Sequence, residues 1–354
     1  MTRIYNVVLL CLAMAFFSCS EDSKEPEPIY DNSFILTFES DKTTIGHLNE
    51  KQEFTPKVYE SLNENTISFS GFDKQLFLVS QNGPTYVSKL NLENLNSETE
   101  ITNSQITSPS YLTMFSETKG LMISTGGRGR RRTYNLSYFD VTNGIGEKID
   151  EISTKVLYAK SALLVDNKNV LIGDDKELKI LDIDNKSIKV QLTFEDAICG
   201  IFKDKNNIIW LVTEKRTGEA KIISLNTDYS IKETVTVTVN DTTLNLFKTS
   251  MFSMSKTSNH MYWSEVATGL VYRFNTETKT IEEFANPSTN NILLTSVIRE
   301  HPITKQVYVL GFEDFFDTEK SVLIIYNQDK TIFKTIKNVG NSPIDIYFSN
   351  VKYE

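Results

Sequence analysis

The stretch "KILDIDNKS" (residues 179–187) joins an alternating apolar segment to an acid and a run of turn formers. Its first half has the period of two that makes a half-buried strand, with β-branched residues suited to the pleat. Asp182 ends that segment. An Asp or Asn there accepts hydrogen bonds from backbone amides two residues on and tolerates the left-handed conformation, so it closes a turn. The pattern recurs as "TIGHLNEKQ", "VSKLNLEN", "NLSYFDVTNG", "IISLNTDYS", "VYRFNTETKT" and "LIIYNQDKT", with its turn residue at Asn49, Asn91, Asp140, Asn226, Asn275 and Asn327.

Intervals between successive turn residues are 42, 49, 42, 44, 49 and 52. That is the period of a four-stranded propeller blade. Most units carry a further strand ahead of the motif, among them "QLFLVS", "NVLIG", "IIWLVT" and "VYVLGF". No long stripe with helical spacing and caps competes with this reading. The last stretch, "SPIDIYFSNVKYE", is an innermost-type strand with no blade to follow it, and "SFILTFES" at the other end has no innermost strand before it. Pairing the two satisfies the last open edges. The expected fold is all-β: a seven-bladed β-propeller in a single domain over residues 33–354, its ring closed by N- and C-terminal strands sharing one blade. A degenerate unit would change the count to six or eight.

The first thirty residues give an address. Arg3 precedes the apolar run Val7–Phe17, roughly eleven residues, where a bilayer-spanning helix needs about 20. A positive start and a short apolar core make a secretory signal peptide, expected over residues 1–18. Ser18-Cys19 after two bulky apolar residues resembles a bacterial lipobox, with Phe16 where leucine is usual. Cys19 is therefore the expected lipidation site. Residues 19–32 are polar, acidic and proline-bearing, a composition that serves as a flexible tether. An acidic run directly after a lipidated cysteine also resembles the surface-export signal of Bacteroidetes lipoproteins. The expected location is the outer membrane, held by the lipid anchor alone and facing outward.

Cys199 is then the only thiol of the folded part, so no disulfide forms within it. Formal net charge is −9 for the whole chain, which argues against nucleic acid as a partner.

Residues 307–347 resemble the YVTN-type propeller repeat. Val307-Tyr308-Val309 matches the strand that names it, and Val339-Gly340-Asn341-Ser342-Pro343 matches its inter-blade turn. Together with the lipoprotein start, the chain resembles the YncE-like propeller lipoproteins of Bacteroidetes, a group that includes a vitamin B12-capturing surface protein. The resemblance implies capture of a corrinoid-like nutrient and its transfer to an outer-membrane TonB-dependent transporter. The shared motifs are structural, so they bring no ligand-contacting residue with them.

Catalytic and metal signatures are sparse. His47, His260 and His301 fall in different units without a second ligand at metal spacing, and read as surface or strand residues. No nucleophile elbow or Cys–His arrangement is present. Cys199 reads as a buried small hydrophobe. Acids cluster in "GDDKE" (173–177) and "GFEDFFDTEK" (311–320); such pairs serve glycoside hydrolysis in other settings and decorate the loops of any soluble propeller. No catalytic residue, metal or cofactor is assigned. Binding is expected rather than catalysis, with a glycan-active hydrolase or lyase on the same scaffold as the alternative.

The candidate binding residues lie on the face that carries loops between second and third strands and the links between blades. "STGGRGRRRTYN" (124–135) supplies such a loop, in which glycines permit close backbone approach. Arg128, Arg130, Arg131 and Arg132 offer planar donor forks for phosphate or carboxylate. They would grip an anionic part of a corrinoid or siderophore, dock an acidic transporter surface, or pair with acids of the protein's own surface. Phe312, Phe315 and Phe316 occupy the longest of these loops. Tyr111 and Tyr158 are expected near the starts of innermost strands, and Trp263 near the end of its strand. Such rings would stack on a flat ligand or a sugar, or pack between blades.

Overall fold

The computed structural model describes residues 31–353, apart from 40–41, 62–65, 103–107, 127–132, 143, 153–161, 167, 215–219, 240–241, 244–251, 266–267, 315–316 and 318. These residues form seven four-stranded antiparallel sheets arranged as the blades of a ring. In blade 1 the innermost strand is Asp345–Ser349, followed outward by Asn32–Glu39, Lys42–Leu48 and Phe54–Glu60. The chain's last strand thus pairs with its first, in a register that sets Ser33 against Phe348 and Ile35 against Ile346. Blades 2 to 7 follow in chain order. Their innermost strands are Thr66–Phe72, Pro109–Met114, Ala162–Leu164, Ala197–Lys203, Ser253–Met254 and Leu294–Glu300.

The core is divided among the seven junctions between blades. Alternation along each strand sends successive side chains to opposite neighbours. In blade 6, Met261 and Trp263 pack toward blade 5, while Tyr262 between them packs toward blade 7. In blade 7, Val307 and Val309 face blade 6, while Tyr308 and Leu310 face blade 1. A strand sandwiched in this way is buried on both sides and reads as a continuous apolar run. Outermost strands return to the half-exposed pattern, as in Ile332–Lys337.

Blades 2 to 7 keep their first-to-second and third-to-fourth turns, and blade 1 its third-to-fourth turn, on one face, hereafter the turn face. The turn residues foreseen from the repeat act there as expected in most blades. Asn49 Oδ1 accepts the amides of Lys51 and Glu53, Asn91 that of Glu93, Asp140 that of Thr142, and Asn275 those of Glu277 and Thr278. Asp182 accepts one residue further on, from Asn185. Asn226 and Asn327 differ: their side-chain amides donate to Ser230 and Thr331 hydroxyls, and Asp228 and Asp329 accept the turn amides instead. The first turn of several blades uses the same device, with Ser116, Asp166, Asp204 and Ser255 accepting amides two or three residues on. In blade 7 a histidine ring replaces the acid, and His301 Nδ1 accepts from Ile303 and Thr304.

The opposite face, hereafter the loop face, carries the second-to-third loops and the inter-blade links. The link from blade 5 to blade 6 contains a small hairpin that the repeat did not announce, pairing Thr238–Val239 with Thr242–Thr243.

The ring seam lies between blades 7 and 1. Val339 is buried in it, and Gly340 adopts φ 110°, where an added Cβ would stand 2.6 Å from Thr37 Oγ1. The YVTN-like turn is therefore the hinge stone of the closure. Two histidines secure the chain where it enters. His301 Nε2 lies 2.6 Å from Asp31 Oδ1, and His47 Nε2 lies 2.7 Å from Asn32 Oδ1. Burial holds the His47 ring below the ordinary imidazole range, so the neutral form is the one packed there against Phe34.

Candidate functional site

Innermost strands face a central channel, and residues on them that break the apolar or small-residue pattern are candidates for chemistry. In blade 7 a bulge lies between Thr295 and Val297. Val297 then packs toward blade 1 and Ile298 toward blade 6. Arg299, next in the alternation, turns back toward blade 1. Its Nη2 lies 2.5 Å from Asp345 Oδ1, and Nη1 donates to the carbonyl of Ile298. The same Asp345 oxygen accepts the amide of Ile346. The pair is single-pronged. Asp345 Oδ2 and the guanidinium Nε take no partner among the described residues.

A cavity of about 220 Å³ opens beside this pair toward the turn-face end of the channel. Phe69, Tyr347 and Phe348 supply aromatic wall, Ser253, Met254 and Lys256 come from blade 6, and Glu300 and Pro302 close one side. Phe69 and Tyr347 meet edge to face, centroids 6.1 Å apart. Gly71 makes room for that tyrosine, since a Cβ there would fall 2.0 Å from its ring. Tyr111 stands near enough for both charges of the pair to act on its hydroxyl: burial pushes its pKa up and Asp345 adds to this, against Thr113 and Arg299.

Glu300 is a different kind of residue. Its carboxylate is buried and accepts from Ser255 Oγ at 2.6 Å, Ser258 Oγ at 2.8 Å and Tyr262 Oη at 2.7 Å. Burial alone would push its pKa up; the hydrogen bonds from His260, Ser255, Tyr262 and Ser258 outweigh it and hold the group below the ordinary carboxylate range. A carboxylate so fully occupied fixes blade 6 to blade 7 and is not poised to donate a proton.

The loop face offers two further features. A polar groove of about 400 Å³ follows the seam, lined by Thr37, Thr44, Lys57, Asp317, Glu319, Lys320 and Asn338–Asn341. In blade 5, Glu214 ends the second strand opposite Ala197, at the start of the innermost strand. Burial lifts its pKa to about 7, so this carboxyl is half protonated near neutrality.

Of the residues singled out from the sequence, Tyr111 reaches the channel. Phe312 is half-buried at the end of its strand, paired with Ser321 and Leu294. Trp263 is 1 % exposed and stacks on Tyr272 at 5.9 Å in the junction of blades 5 and 6. It is core, not a ligand platform, because its strand position sends it toward the neighbouring blade. Cys199 is buried in the same junction. The loop of Arg128, Arg130, Arg131 and Arg132 lies outside the described residues, as do Cys19, Tyr158, Phe315 and Phe316. The arginine loop's flanks are fixed, since Gly126 pairs with Thr133 across second and third strands of blade 3. Three acids of the two clusters are engaged in close ion pairs: Asp174 with Lys179 at 2.7 Å, Asp317 with Lys320 at 2.9 Å and Glu313 with Lys337 at 2.8 Å. Among the described residues, no group of three His, Cys, Asp or Glu is arranged to hold a metal ion. Sequence reading missed Arg299, Asp345 and Glu214. A charge within an innermost strand, as in "SVIRE" and "SPIDIY", was the available signal for the first two.

The family described as "Domain of unknown function (DUF5074)" matches over residues 34–351. No curated protein matches the sequence. Solved structures share the fold. A 6-phosphogluconolactonase-like protein from Bacteroides uniformis superposes with a TM-score of 0.65 at 13 % identity, over 91 % of this chain and 100 % of that one. One from Bacteroides fragilis gives 0.62 at 15 %, over 92 % and 100 %. The dihydro-heme d1 dehydrogenase NirN, in complex with DHE, gives 0.57 at 10 %, over 93 % and 77 %. At such identities the likeness is one of architecture.

Proposed function

The chain belongs to the DUF5074 family, and from that premise we propose that it is a surface lipoprotein that captures a nutrient on the loop face of its propeller. One observation carries the reading: the first strand, Asn32–Glu39, starts on the turn face and runs toward the loop face. The loop face is therefore the face opposite the one at which this strand begins. It holds the flanks of the arginine loop, Gly126 and Thr133, together with the groove at the seam and Glu214. The favoured cargo is corrinoid-like, passed on to a TonB-dependent transporter in the outer membrane; a siderophore or a glycan is the alternative. A macrocycle would rest on the loop face, because the channel cavity of about 220 Å³ falls below the ~300–1,000 Å³ of ordinary small-molecule sites. NirN, of similar fold, is described with DHE bound, which supports the idea that the scaffold can present a face to such a ligand. Anything that binds only the folded state raises its melting temperature. The test is a melting screen of the full chain in detergent against cobalamin, cobinamide, haem, ferric siderophores and oligosaccharides. A shift with one class that is lost in an Arg128/Arg130/Arg131→Ala variant supports the proposal. No shift with any compound overturns it.

A hydrolytic reading has one specific support, the Glu214 carboxyl with its pKa near 7 on the same face, where a general acid works best. It requires turnover that disappears in Glu214→Gln.

A further inference from the structure

The channel cavity is separate from the loop face, and its chemistry points to a ligand of its own. We propose that the cavity beside Arg299 and Asp345 binds a single neutral sugar ring. The inference does not rest on the loop-face reading.

Size is the first argument. A cavity of about 220 Å³ lies below the ~300–1,000 Å³ of ordinary small-molecule sites, which suits one six-membered ring with its hydroxyls and leaves no room inside for a macrocycle. Charge is the second. Arg299 and Asp345 neutralise one another at 2.5 Å, and the other two charged residues of the lining, Lys256 and Glu300, are of opposite sign, so the lining carries no net charge to draw in an anion or a cation. A neutral polyol needs none. It can donate a hydroxyl to Asp345 Oδ2 and accept from the guanidinium, the two sides of the pair that no described residue occupies.

Geometry is the third argument. An Arg–carboxylate pair built only to hold two strands together favours the two-pronged form. Here one carboxylate oxygen takes both the Arg299 Nη2 and the Ile346 amide, leaving the other without a partner among the described residues, on a residue that lines the cavity. Aromatic wall is the fourth. Phe69 and Tyr347 meet edge to face beside the pair, and the C–H face of a sugar ring packs on such a surface with gain from burial and from the ring quadrupole. Planar polar forks beside aromatic faces are what a ring bearing equatorial hydroxyls and axial hydrogens requires.

The test is calorimetric titration of the full chain with D-glucose, D-galactose, D-mannose, L-fucose and N-acetylglucosamine, with glucuronate and citrate as charged comparators. Wild type should bind at least one neutral sugar saturably, one per chain. Asp345→Asn, which is near-isosteric, and Arg299→Gln, which is shorter and neutral, should each weaken that binding at least tenfold while still giving a cooperative melt. The Arg128/Arg130/Arg131→Ala variant should bind the sugar as wild type does, which separates failure here from failure of the loop-face reading. The proposal is overturned if no neutral sugar saturates, if only the charged comparators bind, or if both Asp345→Asn and Arg299→Gln bind unchanged.

Discussion

Replacing Glu214 by glutamine should make the protein more stable, and only at the higher pH. Burial lifts this carboxyl from 4.5 to about 7. Between those values the folded state holds the proton more tightly than the unfolded chain. Stability therefore falls as pH rises through the window, and the loss is complete above pH 7. A rise of that size corresponds to at most about 3.5 kcal/mol at ~1.4 kcal/mol per decade of proton affinity. Glu214 retains partial access to solvent, which brings the expected penalty to roughly 2 kcal/mol. Glutamine fills the same space without the charge. With an unfolding entropy of about 2 cal/mol/K per residue over ~320 residues, 2 kcal/mol is a rise of about 3 °C in melting temperature. Thermal melts of wild type and Glu214→Gln at pH 5 and pH 8 make the comparison. The variant should gain about 3 °C at pH 8 and little at pH 5. An equal shift at both pH values, or a loss at pH 8, would refute the desolvation argument and with it the view of Glu214 as a carboxyl poised near neutrality.

Two further outcomes follow from the ring seam. Gly340→Ala places a Cβ 2.6 Å from Thr37 Oγ1 at a φ of 110°, and should destabilise by roughly 2 kcal/mol; Gly269→Ala, whose Cβ meets only a carbonyl oxygen at 3.9 Å, should cost less in the same denaturant titration. His47 is held neutral by burial. Stability should therefore decline as pH falls below about 6.5, where the unfolded imidazole takes a proton that the buried ring resists, and His47→Gln should flatten that decline in unfolding free energies measured from pH 7.5 to 5.5.

The architecture was legible because a propeller repeats its local chemistry. Asn49, Asn91, Asp140, Asp182 and Asn275 each close a turn with their own side chain, and that recurrence marks the blades. Where a second acid stood nearby, as Asp228 and Asp329 do, the task moved to it while the spacing stayed the same. Ring closure was legible as well, from an unpaired strand at either end. The channel was not. Arg299 and Asp345 are 46 residues apart, and their meeting depends on a bulge at Thr295 and on the junction of two blades that only the closed ring brings together. Trp263 shows the same limit. Its position near a strand end was readable, but not that both faces of that strand are buried against the neighbouring blades. Glu214 gave no signal at all, since its pKa depends on what packs over it.

A protein that captures its ligand returns it unchanged. Equilibrium dialysis of the full chain against the compound that gives the largest melting shift, with mass analysis of the ligand recovered afterwards, measures this. A saturable one-to-one complex is expected, weakened when Arg128, Arg130 and Arg131 are replaced by alanine, with a ligand of unaltered mass. Absence of a complex, or recovery of a converted product, would show that the protein does not work by capture.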